Sequence, residues 1–271
     1  MPQDTLYEPE APRIRDLISR CGMSAVFQPV ANFESGAICG YEGLIRGPAS
    51  TSLEMPYVLF PQARAEGCAI ELDRAAARIC LKAFAGSACD GKLLLNFSAE
   101  TLRRIAVDFD DALNFLKEAR IDPSRIVLEL TKQSIIHDVR NFMPVVAKLR
   151  ATGMQLALDD YGTAPASMNL WLGLRPEVVK IGRFFIHGIA SDALKFEAVK
   201  AMQHFANVSG EPLIVEGIEN AANLSVVSDM DVRFGQGFYL GQPSAQPLRY
   251  FADEVRQSIH SARMRSALDP G

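Results

Sequence analysis

From Ser24 onward the chain alternates short, dense apolar runs with longer segments of helical spacing, and this alternation restricts the fold more than any other feature. The runs are "AVFQPV", "AICGYEGLIR", "KLLLNFS", "RIVLELT", "MQLALDD", "EVVKIG", "PLIVEGI" and "RFGQGFYLG". Most are apolar at consecutive positions, as strands are when helices cover both faces of a parallel sheet. Between them lie helical patterns such as "IELDRAAARICLKAFAGSA", "DDALNFLKEAR", "VRNFMPVVAKLRATG" and "DALKFEAVKAMQHFANVSG", with a closing helix expected near "PLRYFADEVRQSIHSARMRS". Gly153 and Gly210 follow two of these at the position where a left-handed backbone suits glycine. Only "ANFESG" separates the first two runs, so they read as a hairpin. Eight strands interleaved with helices predict an α/β fold, a modified TIM-type (β/α)8 barrel with one antiparallel strand near the start. The 271 residues suit one such barrel, commonly about 250 residues long, although length alone also allows two smaller domains. The barrel is expected over residues 21–265, with residues 1–20 a leader helix or linker remnant.

Composition narrows the class of partner. Net charge −4 and pI about 5.7 predict no bulk attraction to nucleic acid or to an anionic membrane. No run of about 18 apolar residues is present, so membrane insertion is not expected, and the polar start "MPQDTLYEPEAPRIRDL" carries no signal-peptide pattern. A cytoplasmic location follows as the expectation. The five cysteines lack CxxC spacing and read as free thiols in a reducing compartment.

Polar side chains end seven of the eight runs: Glu42, Asn96, Glu129, Asp159 with Asp160, Lys180, Glu216 with Glu219, and Gln236. Any one of them alone reads as a helix cap or a solvated strand end. Together they are harder to dismiss, because a barrel gathers its strand ends on one rim, where that many carboxylates repel one another unless a cation offsets them. The four histidines show no HExxH or HxH spacing. An oxygen-rich site for hard divalent cations, Mg2+ or Mn2+, is therefore the better inference. Adjacent Asp159 and Asp160 suit a two-metal centre, a device that activates water against phosphate esters. Lys180 then has a role beside developing negative charge, against the alternative of a surface lysine whose stem lies along the protein.

In this order the motifs resemble those of the EAL-domain family of cyclic-di-GMP-specific phosphodiesterases, over about Ser24 to Tyr250. "YEGLIRGP" resembles Glu-Ala-Leu-x-Arg with Gly43 for alanine, and "LNFS" the Asn-x-Ser strand end. "LELTK" resembles Glu-x-Thr-Glu, "LALDDYGTA" Asp-Asp-Phe-Gly-Thr-Gly, "VVKIG" Leu-Lys-Ile-Asp, "VEGIE" Glu-Gly-Val-Glu and "GQGFYLGQP" the Gln-Gly-Tyr strand. The resemblance implies hydrolysis of cyclic-di-GMP to linear pGpG by in-line attack of water on phosphorus. It implies a first metal on Glu42, Asn96, Glu129 and Asp159, and a second among Asp159, Asp160 and Glu216. Lys180 would orient or activate the water, with Glu216 the general base if one is used. Gln28 and Arg46 match substrate-contacting positions, and Glu219 and Gln236 complete the rim. A homodimer formed through the region after the Asp-Asp strand is also implied; Trp171 would lie there or in the core.

Three departures bear on activity. Lys132 replaces the second glutamate of Glu-x-Thr-Glu, exchanging an acceptor for a donor. Ala164 and Pro165 stand in the loop where the family has Gly-Tyr, and neither takes up glycine's conformations cheaply. Gly182 stands where Lys-Ile-Asp has its aspartate. The resemblance thus leaves two readings open: a metal-dependent phosphodiesterase weakened by its supporting residues, or a catalytically inactive cyclic-di-GMP receptor or protein-interaction module. A third is an unrelated barrel hydrolase or aldolase; Lys180 could form a Schiff base, but an aldolase has no use for so many carboxylates.

Overall fold

The computed structural model describes residues 13–131, 136, 138–163 and 167–268. Lys132, Ala164 and Pro165 lie outside the described residues. Eight strands close into a barrel in chain order: β1 (Ser24–Asn32), β2 (Ala37–Arg46), β3 (Lys92–Phe97), β4 (Ile126–Leu130), β5 (Gln155–Tyr161), β6 (Val178–Ile181), β7 (Leu213–Glu216) and β8 (Phe234–Gln236). β1 runs antiparallel to both neighbours, β2 and β8, and every other pair is parallel. The expected modified barrel is therefore the fold of this chain.

The hairpin turn between β1 and β2 is built by Asn32, whose side chain accepts from Glu34 N at 2.9 Å and Ser35 N at 3.1 Å. Such an Asx turn reverses the chain with few residues. Elsewhere helices return the chain to the start of the next parallel strand: α2 (Pro56–Ala65), α3 (Ala69–Gly86), α4 (Ala99–Val107), α5 (Phe109–Glu118), α6 (Val139–Arg150), α7 (Ser167–Leu174), α8 (Arg183–Ile186), α9 (Ala193–Ser209) and α10 (Ala221–Asp229); α1 (Ile14–Ser19) precedes β1 and α11 (Asp253–Leu268) follows β8. Gly153 and Gly210 both take positive φ, +92° and +85°, as the sequence predicts.

Two hydrophobic layers follow from the strand period of two. Outward-facing residues such as Leu93, Leu95, Leu128, Leu156, Val179 and Val215 pack with Phe142, Val199 and Leu224 of the surrounding helices. Trp171 belongs to this outer core. It is fully buried, edge-on to Tyr161 and Phe205 with ring centroids 4.8 Å from each, and donates Nε1–H to Glu211 Oε2 at 3.2 Å. Ile14 and Leu17 of α1 join a separate cluster with Ile45, Leu59 and Leu72. Inside the barrel, Val30, Leu94, Val127, Ala157 and Ile214 form a compact apolar floor.

Candidate active site at the mouth of the barrel

Two residues along each strand from that floor, toward the carboxyl ends of the parallel strands, the inward side chains become polar. Leu94 is followed by Asn96, Val127 by Glu129, Ala157 by Asp159, Val178 by Lys180, Ile214 by Glu216 and Phe234 by Gln236. Antiparallel β1 supplies Gln28, two residues before Val30 and opposite Glu42 of β2. A period of two therefore stacks a polar tier on an apolar one.

Lys180 stands at the centre, wholly buried. Its Nζ lies 2.6 Å from Glu216 Oε1, 2.9 Å from Glu129 Oε1, 3.0 Å from Glu42 Oε2 and 3.8 Å from Asp159 Oδ1. This excludes the surface-lysine alternative. Glu42 is further held by Asn96 Nδ2 at 2.8 Å and Gln236 Nε2 at 2.8 Å, and Gln236 Nε2 also reaches Gln28 Oε1 at 3.0 Å. Gln28 in turn donates Nε2–H to the Gly241 carbonyl at 3.2 Å. The amides of Asn96 and Gln236 thus orient one carboxylate, while Gln28 ties the mouth to the segment after β8.

The paired aspartates sit in a β-bulge. Leu158 pairs with Val179 and Tyr161 with Ile181, so Asp159 and Asp160 together stand opposite Lys180 alone. Two residues opposing one is what a bulge produces, and it re-aims side chains that a regular strand would send to opposite faces. Asp160 takes φ +52°, a conformation that aspartate tolerates better than most residues. Its N–H bonds to Asp159 Oδ1 at 2.8 Å.

The electrostatics record an excess of negative charge. Burial pushes the Glu216 carboxyl up to about 8 against the pull of Lys180, with Asp159 and Glu42 adding to the rise. Burial likewise lifts Asp159 to about 6, opposed by Lys180 and assisted by Glu42 and Asp160. Glu129 is raised well above the usual carboxylate range by burial, which the Lys180 charge only partly offsets. Burial acts in the same direction on Glu42, but there the Lys180 charge and the bonds from Asn96, Gln236 and Lys180 prevail and hold it below its ordinary value. Burial would lower Lys180, yet Glu129, Glu216, Glu42 and Asp159 outweigh it and raise the ammonium well above its ordinary value.

Both carboxylate oxygens of Glu129 are buried without a hydrogen-bond partner among the described residues; Lys180 approaches one of them only as an ion pair. A buried carboxylate left this way is costly unless a cation completes it. The donors gathered here are oxygens, the set a hard divalent cation takes. Four carboxylates lie within 3.8 Å of one ammonium, an excess of acidic groups that divalent cations would offset. Among the described residues no three His, Cys, Asp or Glu side chains are already placed to hold a metal ion; the Lys180 ammonium lies among the carboxylates. The residues fit the implied metals by chemistry and charge.

The remaining predicted positions lie at the margin. Glu219 is turned from the central cluster toward Arg183 Nη2 at 2.5 Å and His187 Nδ1 at 3.3 Å. Arg46, at the end of β2, is half-buried and donates Nη1–H to the Ile45 carbonyl at 2.9 Å. Gly182 follows β6 and precedes α8, directly against the Asp160 carboxylate. Sequence reasoning missed Arg183 and His187. Their only signal was placement just after the Lys180 strand, where an exposed basic residue is unremarked.

A family model described as EAL domain matches residues 11–243. The bifunctional diguanylate cyclase/cyclic di-GMP phosphodiesterase MucR of Pseudomonas aeruginosa is 26% identical over 236 residues, covering 85% of this chain and 34% of that protein. The chain spans about a third of the length of the curated relatives it matches. Among solved structures, a standalone EAL protein from Vibrio cholerae in its c-di-GMP-bound form superposes with TM-score 0.77 at 22% identity, covering 86% of this chain and 97% of that one. The Klebsiella pneumoniae BlrP1 complex with manganese and c-di-GMP gives TM-score 0.74 at 20% identity, over 82% and 56% of the two chains.

Proposed function

We propose, from the premise that this chain belongs to the EAL domain family, that it is a metal-dependent phosphodiesterase hydrolysing cyclic-di-GMP to linear pGpG. The observation that carries the reading is the convergence of Glu42, Glu129, Asp159 and Glu216 on buried Lys180, within 2.6–3.8 Å, at the carboxyl ends of the barrel strands. Support also comes from MucR, named a cyclic di-GMP phosphodiesterase, and from the manganese and c-di-GMP complex of the structural neighbour.

Glu42, Asn96, Glu129, Asp159, Asp160 and Glu216 would hold Mg2+ or Mn2+. Such ions, when bound, supply positive charge to the phosphate oxygens and lower the pKa of water. The chain's own residues do the rest. Lys180 holds a proton at Nζ throughout the neutral range and presents fixed positive charge where charge on the leaving oxygen develops. Glu216, with its carboxyl at about 8 in the metal-free protein, is suited to take the proton of the attacking water once its surroundings favour ionisation. Gln28, Arg46, Glu219 and Gln236 would contact the nucleotide; the buried Gln236 Oε1 lacks a partner among the described residues and can accept an N–H. The homodimer belongs to the same reading, supported by exposed Met168 and Leu172 on α7. So does a cytoplasmic location, consistent with the absence of any described helix long and apolar enough to cross a membrane.

Incubating the purified chain with cyclic-di-GMP and Mg2+ or Mn2+, and separating products by chromatography, tests the proposal: pGpG is expected. Micromolar binding without pGpG would replace it with the second reading, a non-catalytic receptor. Gly182, which lacks the carboxylate of the family's Lys-Ile-Asp, is the observation favouring that alternative.

A further inference from the structure

The residues on either side of Arg46 are anchored in a layer apart from the main core. Ile45 and Leu53 belong to the cluster that Ile14 and Leu17 of α1 join with Met23, Leu59 and Leu72. The strand period sends Ile45 outward into that cluster and keeps Arg46 on the inward face with Glu42. The Ile45 carbonyl accepts Arg46 Nη1–H at 2.9 Å, and past Arg46 the Gly47 N–H bonds to the Glu54 carbonyl at 2.9 Å, next to Leu53. The chain reaches the same corner a second way, because α1 leads through Met23 into Ser24, which pairs with Arg46 across β1 and β2. α1 itself depends on its seat. Its six residues are too few to hold a helix alone in water, where about 12–15 are marginal. Ile14 N–H bonds to Glu66 Oε2 at 2.9 Å, Arg15 Nη2 reaches the Gly67 carbonyl at 3.3 Å, and Arg15 Nη1 lies 3.5 Å from Glu71 Oε1. Ile14 is wholly buried, whereas Arg13, Arg15, Asp16 and Ser19 are exposed. Seated and unseated α1 are therefore two alternatives that exchange as a unit.

We propose that α1 is a regulatory strap on the substrate side of the barrel mouth. Seated on α2 and α3, it holds the Ser24–Arg46 corner ready for cyclic-di-GMP. Unseated, it releases that corner and lowers affinity for the nucleotide, while the carboxylates around Lys180, held by other strands and by the inner tier, keep their arrangement. The strap is worked by a pull on the chain ahead of Ile14. The inference rests on the reading of Arg46 as a substrate contact.

The test compares the full chain with Ile14→Ala, Glu66→Ala, Arg46→Ala and the double variant of Ile14 and Arg46. Val199→Ala, which opens a cavity in the outer core on α9, controls for lost stability alone. Calorimetry reads cyclic-di-GMP binding in EDTA and, separately, Mn2+ binding; hydrogen exchange reads the Gly47 amide. Ile14→Ala is expected to weaken cyclic-di-GMP binding about 10-fold, near the lower end for losing a hydrogen bond to a charged group, and Glu66→Ala to weaken it less. Both should speed exchange at Gly47 and leave Mn2+ affinity as it is. With Arg46 already replaced, Ile14→Ala should add nothing. Unchanged nucleotide affinity in Ile14→Ala, an equal loss in Val199→Ala, or additive losses overturn the proposal. An equal fall in Mn2+ affinity also overturns it, since α1 then acts on the whole barrel. If the unaltered chain binds no cyclic-di-GMP, the proposed function falls and the substrate role of the strap with it; exchange at Gly47 then decides whether α1 holds the corner at all.

Discussion

Replacing Lys180 with methionine keeps the length of the side chain and removes the ammonium that, among the described residues, faces Glu42, Glu129, Asp159 and Glu216. Removing one partner of a buried ion pair costs about 3–5 kcal/mol, chiefly because the other charge stays buried uncompensated. At about 2–4 °C per kcal/mol for a domain of this size, the metal-free variant should melt roughly 6–20 °C lower. The cost depends on pH with a definite sign. Glu129, Asp159 and Glu216 have folded-state values above their ordinary ones, so the folded protein holds protons that the unfolded chain releases. Their contribution to stability is fully present at low pH and is lost as pH rises through about 6 for Asp159 and about 8 for Glu216. Without the ammonium these carboxyls rise further and can relieve the repulsion by protonation. The full penalty is therefore expected near pH 8.5 in EDTA and a much smaller one near pH 6, with excess Mn2+ recovering more stability for the variant than for the unaltered protein. Differential scanning fluorimetry at the two pH values measures this directly. Equal losses at both, or a loss under about 1 kcal/mol at the higher, would refute the view that Lys180 is the internal counter-cation.

Further expectations follow from the same geometry. Glu129→Gln removes a buried carboxylate whose oxygens have no hydrogen-bond partner among the described residues. The metal-free protein should lose little or no stability at pH 8, while turnover of cyclic-di-GMP falls at least about 100-fold; an active variant would contradict the ligand assignment. Because Glu216 is largely protonated at pH 7, with its carboxyl at about 8, Mn2+ binding should release protons and tighten as pH rises toward 8. Calorimetry in buffers of different ionisation enthalpy reads that release, and a buffer-independent heat counts against it. Trp171→Ala should cost about 3–5 kcal/mol in denaturant unfolding, since the indole is wholly buried between Tyr161 and Phe205.

The alternation of apolar runs and helical patterns was enough to predict the barrel and its hairpin, because strand and helix periods are written locally. The polar tier was legible for the same reason: a residue two places beyond an inward apolar residue must also point inward, so Asn96, Glu129, Asp159, Lys180, Glu216 and Gln236 announce themselves at strand ends. Other relations were not. Two adjacent aspartates on a strand should face opposite ways, and only the register slip between Leu158 and Tyr161 sets both opposite Lys180. Trp171 illustrates the limit from the other side, since helical spacing suits an interface as well as a core until Tyr161 and Phe205 are seen to enclose it.

The sequence by itself determined the fold, the family and which side chains stand at the barrel mouth, because each depends on periodicity or on residue types in order. Tertiary structure decided what those side chains do to one another. Lys180 serves as shared counter-ion to carboxylates from four other strands, Glu129 has that ion pair but no hydrogen-bond partner among the described residues, and Gly182 lies against the Asp160 carboxylate. Those facts depend on ångström-scale distances between strands far apart in the chain, and barrel closure alone fixes such distances.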